Sequence, residues 1–279
     1  MPRARNGAVE IEYETFGDPA NEAVLLINGL GSQMTRWPEP FCALLVKRGL
    51  FAIRFDNRDT GLSTWCEGQT YTLDDMAADA AAALDAAGKR RAHIVGVSMG
   101  GMIAQTFASR YPERTASLTS IMSNTGNPEL PPPSVDILNR RPPDRDDPNF
   151  IADLVERAEA IASPGFPWPP GALAERARAE TERAFNPAGV NRQMAAIRAS
   201  GDRRAKLAKL NVTATVLHGA DDPLVPVAGG RDTAATIPGA ELRIVPGMAH
   251  DLPPALYDIF DETIWRTVER ARTAATAAV

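Results

Sequence analysis

The sequence predicts an α/β fold: a mostly parallel central sheet with helices on both faces and a helical insertion. Three observations carry this. In the first third, short apolar runs of strand character alternate with helix-like segments, the rhythm of βαβ units. Between Pro128 and Pro170 lie 11 of the 23 prolines in 43 residues, a density that breaks that rhythm. From Thr213 the rhythm resumes. The predicted organisation is therefore a core of residues 1–124 and 206–279, interrupted by an insertion at 125–205.

In order, Val9, Ile11 and Tyr13 alternate with Glu10, Glu12 and Glu14, which predicts a half-buried strand with one wet face. Ala23–Ile27 is a short apolar run of the kind found in strands covered on both faces. The loop Asn28-Gly29-Leu30-Gly31-Ser32 follows, then a helix over 38–48 stopped by Gly49, and a strand at Phe51–Phe55. Leu73–Ala87 is an alanine-rich helix closed by Gly88. His93–Val97 (strand), Met99–Arg110 (helix) and Ser117–Met122 (strand) continue the alternation. Within the insertion, Ile151, Leu154, Val155, Ala158 and Ile161 follow helical spacing, as do Val190, Met194 and Ile197. Thr213–Leu217 and Glu241–Val245 read as strands, with a helix at Val227–Thr236 between them. A last amphipathic helix carries Leu256, Ile259, Phe260, Ile264 and Val268, and the tail 271–279 is expected to fray.

Composition excludes several classes. The net charge of −5 and pI near 5.4 argue against a nucleic-acid partner, which needs a basic face. The one compact basic cluster, Lys89-Arg90-Arg91, sits where a helix C-terminus favours positive charge. The longest aliphatic or aromatic run, Phe41–Val46, is far short of the ~18 residues of a membrane span. The start has charge but no apolar stretch, so no secretory leader is expected. Two cysteines, Cys42 and Cys66, give no disulfide framework, and a cytoplasmic location is the simpler expectation. Scattered histidines and cysteines offer no metal-ligand spacing, and no phosphate-binding glycine motif appears, so neither metal nor other cofactor is expected.

The sharpest chemical signal is Gly96-Val97-Ser98-Met99-Gly100-Gly101, between a predicted strand and a predicted helix. That is the context of a nucleophile elbow, where small neighbours let a tight turn lift a serine hydroxyl above the sheet edge. Serine needs a base at neutral pH, and the chain has three histidines. His93 begins the strand that ends before Ser98, about 16 Å from it at ~3.3 Å per residue, so it reads as a packed strand residue. His218 closes a strand and reads as structural support. His250, in the loop before the last helix, can swing over the sheet edge and is the expected base. An orienting carboxylate should come from the turn after His218, where Asp221 and Asp222 are adjacent and only one should face His250.

Taken together, the chain resembles the α/β-hydrolase superfamily across essentially its whole length. More narrowly, Phe55-Asp56-Asn57-Arg58-Asp59-Thr60-Gly61-Leu62-Ser63 and the serine motif resemble the aclacinomycin methylesterase group and actinobacterial lipase- and esterase-like hydrolases. The resemblance implies Asp222, four residues beyond His218, as the acid. It implies backbone N–H groups of Leu30 and Met99 as the oxyanion hole, and a buttressing role for Asp56 and Arg58. It also makes the 125–205 insertion a cap. Relatives mostly have His-Gly where this chain has Asn28-Gly29, and Asn28 is expected to stabilise its loop by hydrogen bonding.

The implied activity is hydrolysis of carboxylic esters or thioesters of small to medium apolar molecules through an acyl-enzyme. A small-molecule ester is the expected partner. Carbon–carbon bond hydrolysis and enol-lactone hydrolysis use the same triad, and a ligand-binding protein of this fold could keep it with little turnover. Phe166 and Trp168, on the stiff stretch Phe166-Pro167-Trp168-Pro169-Pro170, are candidates to line an apolar pocket or to pack the cap onto the core.

Overall fold

The computed structural model describes residues 2–136, 140 and 143–277. Eight strands form one sheet. They are β1 (Arg3–Asn6), β2 (Val9–Phe16), β3 (Glu22–Ile27), β4 (Leu50–Phe55), β5 (Ala92–Val97), β6 (Thr115–Ile121), β7 (Ala214–Gly219) and β8 (Glu241–Val245). Their spatial order is β1-β2-β4-β3-β5-β6-β7-β8. β2 runs antiparallel to both β1 and β4, and the strands from β4 to β8 are parallel to one another.

Alternation along the strands builds two cores. Leu25, Ile27, Ile53, Phe55 and Ile94 face helices α2 (Leu73–Ala86) and α3 (Met99–Arg110), where Met76, Ala80, Leu84, Ile103 and Phe107 meet them. Val24, Leu26, Ala52, Val95 and Val97 face the other way. There they meet α1 (Glu39–Lys47) and α9 (Tyr257–Ala277) through Phe41, Leu45, Phe260, Ile264 and Val268. Such runs, buried on both faces, are what a parallel sheet between helical layers requires. Thr72 and Asp75 form a reciprocal capping box that starts α2.

Between β6 and β7 the chain runs through α4 (Phe150–Glu159), α5 (Ala172–Arg183), α6 (Pro187–Ser200) and the short α7 (Arg204–Leu207), and α8 (Val227–Thr236) then joins β7 to β8. The excursion leaves and returns through one neck. Arg203 N–H donates to the Thr125 carbonyl (2.8 Å), and its guanidinium donates to the Asn124 carbonyl (2.6 Å). Burial pulls that guanidinium down to about 10.

The observed fold differs from the sequence reading in the following respects. β1 is an added edge strand, too short to show periodicity. Glu12, expected on a wet face, is buried, because Arg3 of β1 covers it (3.1 Å). α5 lacks a stripe of large apolar residues and buries only Leu173 and Ala177. The tail expected to fray is helical through Ala277, and residues 278–279 lie outside the described residues. Among the described residues no helix is long and apolar enough to cross a membrane.

His93 is a buried strand residue, hydrogen-bonded through Nδ1 to Ser117 Oγ (2.8 Å). Burial pushes its imidazole down to about 4, against the opposing pull of Glu22. Folded His93 therefore stays neutral where the unfolded chain takes up a proton. Its contribution to stability is present above pH ~6.5 and is lost as pH falls toward ~4, on the order of 2–3 kcal/mol. His93→Gln should flatten the fall in unfolding free energy between pH 7 and pH 4.5, measured by urea titration. An unchanged pH slope in the variant would mean that His93 does not titrate on unfolding.

Candidate active site

Because β3, β5, β7 and β8 are parallel, their C-terminal ends bring four loops to one sheet edge. β3 is flanked by β4 and β5, and such reversals of strand order open a crevice at the C-terminal edge of a sheet.

Ser98 sits between β5 and α3 with φ +56° and ψ −123°, a left-handed conformation costly for a side chain bearing Cβ. The turn is fixed from both sides. Ser98 N–H donates to the Ile121 carbonyl (2.9 Å), and Ser123 Oγ donates to the Ser98 carbonyl (2.8 Å). Close approach explains the glycines. A Cβ at Gly96 would stand 2.0 Å from the Gly100 oxygen, and one at Gly100 would stand 2.2 Å from the Ile27 oxygen.

His250 Nε2 lies 3.0 Å from Ser98 Oγ, and His250 Nδ1 lies 2.7 Å from Asp222 Oδ2. Asp222 is buried. Burial alone would raise its carboxyl. The facing His250 and its hydrogen bond, the nearby His218 and the Val225 N–H outweigh that and hold it far below the usual carboxylate range. An ionised Asp222 accepts from Nδ1–H, which leaves Nε2 of neutral His250 as the acceptor for the Ser98 hydroxyl. The other Asp222 oxygen accepts from Leu224 N–H (2.9 Å) and Val225 N–H (2.8 Å). Asp221 is exposed and turned away, accepting from Gly247 N–H (2.7 Å). His218 donates from Nε2 to the Val225 carbonyl (2.7 Å) and stands 3.5 Å from Asp222, so it braces the turn that carries Asp222.

Met99 follows Ser98 at the start of α3, and Leu30 follows Gly29, whose added Cβ would lie 3.2 Å from Ser98 Cβ. Among the described residues no hydrogen bond engages the N–H of Leu30 or Met99. Asn28 differs from expectation. Its side chain is fully buried without a hydrogen-bond partner among the described residues, and its backbone oxygen instead accepts from Asn57 Nδ2 (3.0 Å).

Asp56 holds Met34 N–H (2.7 Å), Leu62 N–H (3.0 Å) and Arg183 of α5 (2.7 Å). Arg58 pairs with the buried Asp79 of α2. Asp59, at φ +68°, is bound by Arg192 of α6 and the Tyr71 hydroxyl. The β4 loop thus ties the helical excursion to the core.

Phe166 and Trp168 lie at the histidine loop. Phe166 packs on the α1–α9 core, and Trp168 Nε1–H donates to Asp251 (2.7 Å) while Arg176 stacks 4.5 Å from its ring centroid. Asp251 also binds Ser163, and His250 N–H donates to the Ile161 carbonyl (3.0 Å). Sequence reasoning did not single out Asp251, Ser163 or Gln193. Their partners are distant in the chain, and no local pattern marks them. Among the described residues no group of three or more His, Cys, Asp or Glu could hold a metal ion.

Residues 22–200 match the family model described as alpha/beta hydrolase fold. The chain belongs to that family and is a hydrolase. Among its relatives, rhodomycin D methylesterase of Streptomyces peucetius is 31% identical over 278 residues, covering 91% of this chain and 93% of the relative. The rhodomycin D methylesterase of Streptomyces sp. strain C5 is 31% identical over 275 residues, covering 90% and 92%. These relatives match the methylesterase resemblance drawn from the motifs. Two solved structures share the fold. A meta-cleavage product hydrolase of Pseudomonas fluorescens IP01 superposes with a TM-score of 0.80 at 21% identity, covering 97% of this chain and 98% of that one. The enol-lactonase of Burkholderia xenovorans LB400 superposes with 0.73 at 21%, covering 98% and 100%.

Proposed function

We propose that the chain is a serine hydrolase of carboxylic esters, thioesters included, with Ser98, His250 and Asp222 as its triad. The carrying observation is the unbroken hydrogen-bonded line from Ser98 Oγ through both nitrogens of His250 to Asp222. Ser98 Oγ attacks the ester carbonyl while His250 Nε2 takes its proton. The carbonyl oxygen becomes an oxyanion that accepts from Leu30 and Met99 N–H. The intermediate collapses as His250 protonates the departing alcohol. Water, deprotonated by His250, then releases the acid and restores Ser98. Asp222 stays ionised and holds the imidazolium.

A small-molecule ester is the proposed partner, by analogy with the methylesterases. Residues 125–205 are read as a cap, since the chain leaves and returns through the neck at Thr125 and Arg203. Cys42 and Cys66 are free and buried, and burial pushes the Cys42 thiol up to about 12, which makes it unreactive.

The direct test is labelling with a fluorophosphonate followed by peptide mass mapping. One equivalent should attach to Ser98 and abolish turnover of a chromogenic ester. Labelling elsewhere, or activity surviving full labelling of Ser98, would sink the reading. A panel of esters, thioesters, lactones and vinylogous diketones then ranks substrate classes by kcat/KM. Apolar esters are expected to exceed charged ones of equal size. If Trp168 lines the pocket, Trp168→Ala raises KM for bulky esters more than for acetates. Equal shifts would confine it to packing the cap.

A further inference from the structure

We propose that Gln193, in cap helix α6, is a positioning residue for the oxyanion loop; this rests on the esterase reading above. Gln193 is fully buried, and its carboxamide binds two core loops at once. Its Oε1 accepts from Gly31 N–H (2.8 Å) in the loop after β3. Its Nε2 donates to the Arg58 carbonyl (2.8 Å) and to Thr60 Oγ1 (2.8 Å) in the loop after β4. Gln193 thus spans the two loops that meet at the sheet edge, from a helix outside the core.

The Gly31 bond, the shorter of the two on the Leu30–Gly31 peptide, orients that peptide together with Ser32 Oγ, which donates to the Leu30 carbonyl (3.4 Å). The preceding peptide, which carries Leu30 N–H, is held by Ser32 N–H donating to the Gly29 carbonyl (3.2 Å). Leu30 N–H therefore belongs to an oriented peptide whose neighbour is fixed from the cap. The loop gains no such hold from the Asn28 side chain, which makes no hydrogen bond among the described residues. Oxyanion stabilisation acts through donors aimed before reaction, so a loose loop costs rate more than substrate binding. The cap would in this way support the chemistry as well as enclose the substrate.

The test compares Gln193→Met, Thr60→Val and the unaltered full chain with 4-nitrophenyl butyrate and an alkyl trifluoromethyl ketone, whose adduct with Ser98 places an oxyanion in the hole. Gln193→Met keeps the shape and removes all three bonds. It should lower kcat about 10- to 100-fold, leave KM within about threefold, and raise the ketone inhibition constant by the same factor as kcat falls. Thr60→Val removes one Nε2 bond and spares Gly31. It should leave kcat and the inhibition constant within about threefold. Should Gln193→Met not fold, replacing the residue-31 amide by an ester, with glycolic acid at that position, removes the same donor and should show the same loss. Unchanged kcat in Gln193→Met, or in the ester form if that is used, overturns the proposal. So does an equal loss in Thr60→Val. Full activity in Ser98→Ala would instead overturn the esterase reading itself.

Discussion

Ser98→Ala should abolish ester turnover, by at least about 10,000-fold in kcat, while the protein stays folded. The hydroxyl is the atom placed 3.0 Å from His250 Nε2, and alanine leaves that nitrogen facing nothing that can attack. Substrate binding should survive, because the loops around the serine are held by backbone hydrogen bonds that alanine keeps. Steady-state rates give the activity, and thermal unfolding checks the fold. Activity within tenfold of the unaltered enzyme would remove Ser98 from the mechanism. A companion variant tests the strain. At φ +56°, glycine carries no Cβ penalty, so Ser98→Gly should be more stable than Ser98→Ala by about 1 kcal/mol while equally inactive. Equal stability of the two would mean that the turn stores no strain.

The residues drawn together at Ser98 were legible because each has a local signature or few competitors. Gly96 and Gly100 flank the serine for a steric reason that sequence can show. Three histidines leave little choice once position along a strand is considered. Asp222 was harder to find. The turn offered two carboxylates, and family resemblance chose between them. The geometry separates them physically, since Asp222 is buried on His250 whereas Asp221 is exposed on Gly247 N–H.

The support around the site was not legible. Gln193 reaches Gly31 across 162 positions, and Asp251 reaches Ser163 across 88. Polar pairs at such distances leave no periodic trace. Asn28 shows the opposite error. A loop asparagine suggests a bonding side chain, but here the backbone oxygen bonds while the carboxamide stays unpartnered among the described residues. In the fold, the two-sided strands were clear from their apolar runs. α5 was not, because a helix that buries only Leu173 and Ala177 has too narrow an apolar stripe for periodicity to show.

The adjacent aspartates should separate sharply on amidation. In Asp222→Asn, the turn N–H groups of Leu224 and Val225 still demand an acceptor, so the amide oxygen must stay on them. The amide NH2 then takes the place of Oδ2, 2.7 Å from His250 Nδ1. Two donors cannot share one hydrogen bond, so Nδ1 gives up its proton and Nε2 carries it instead. In that tautomer Nε2 cannot accept from Ser98, and kcat should fall about 10,000-fold with KM little changed. The turn should survive, because its two backbone bonds are retained. Asp221→Asn keeps an oxygen for Gly247 N–H and touches neither Ser98 nor His250, so its activity should stay within about threefold. Steady-state kinetics on both variants, with unfolding curves for each, decide the matter. A large loss in Asp221→Asn with Asp222→Asn unimpaired would move the orienting acid to Asp221.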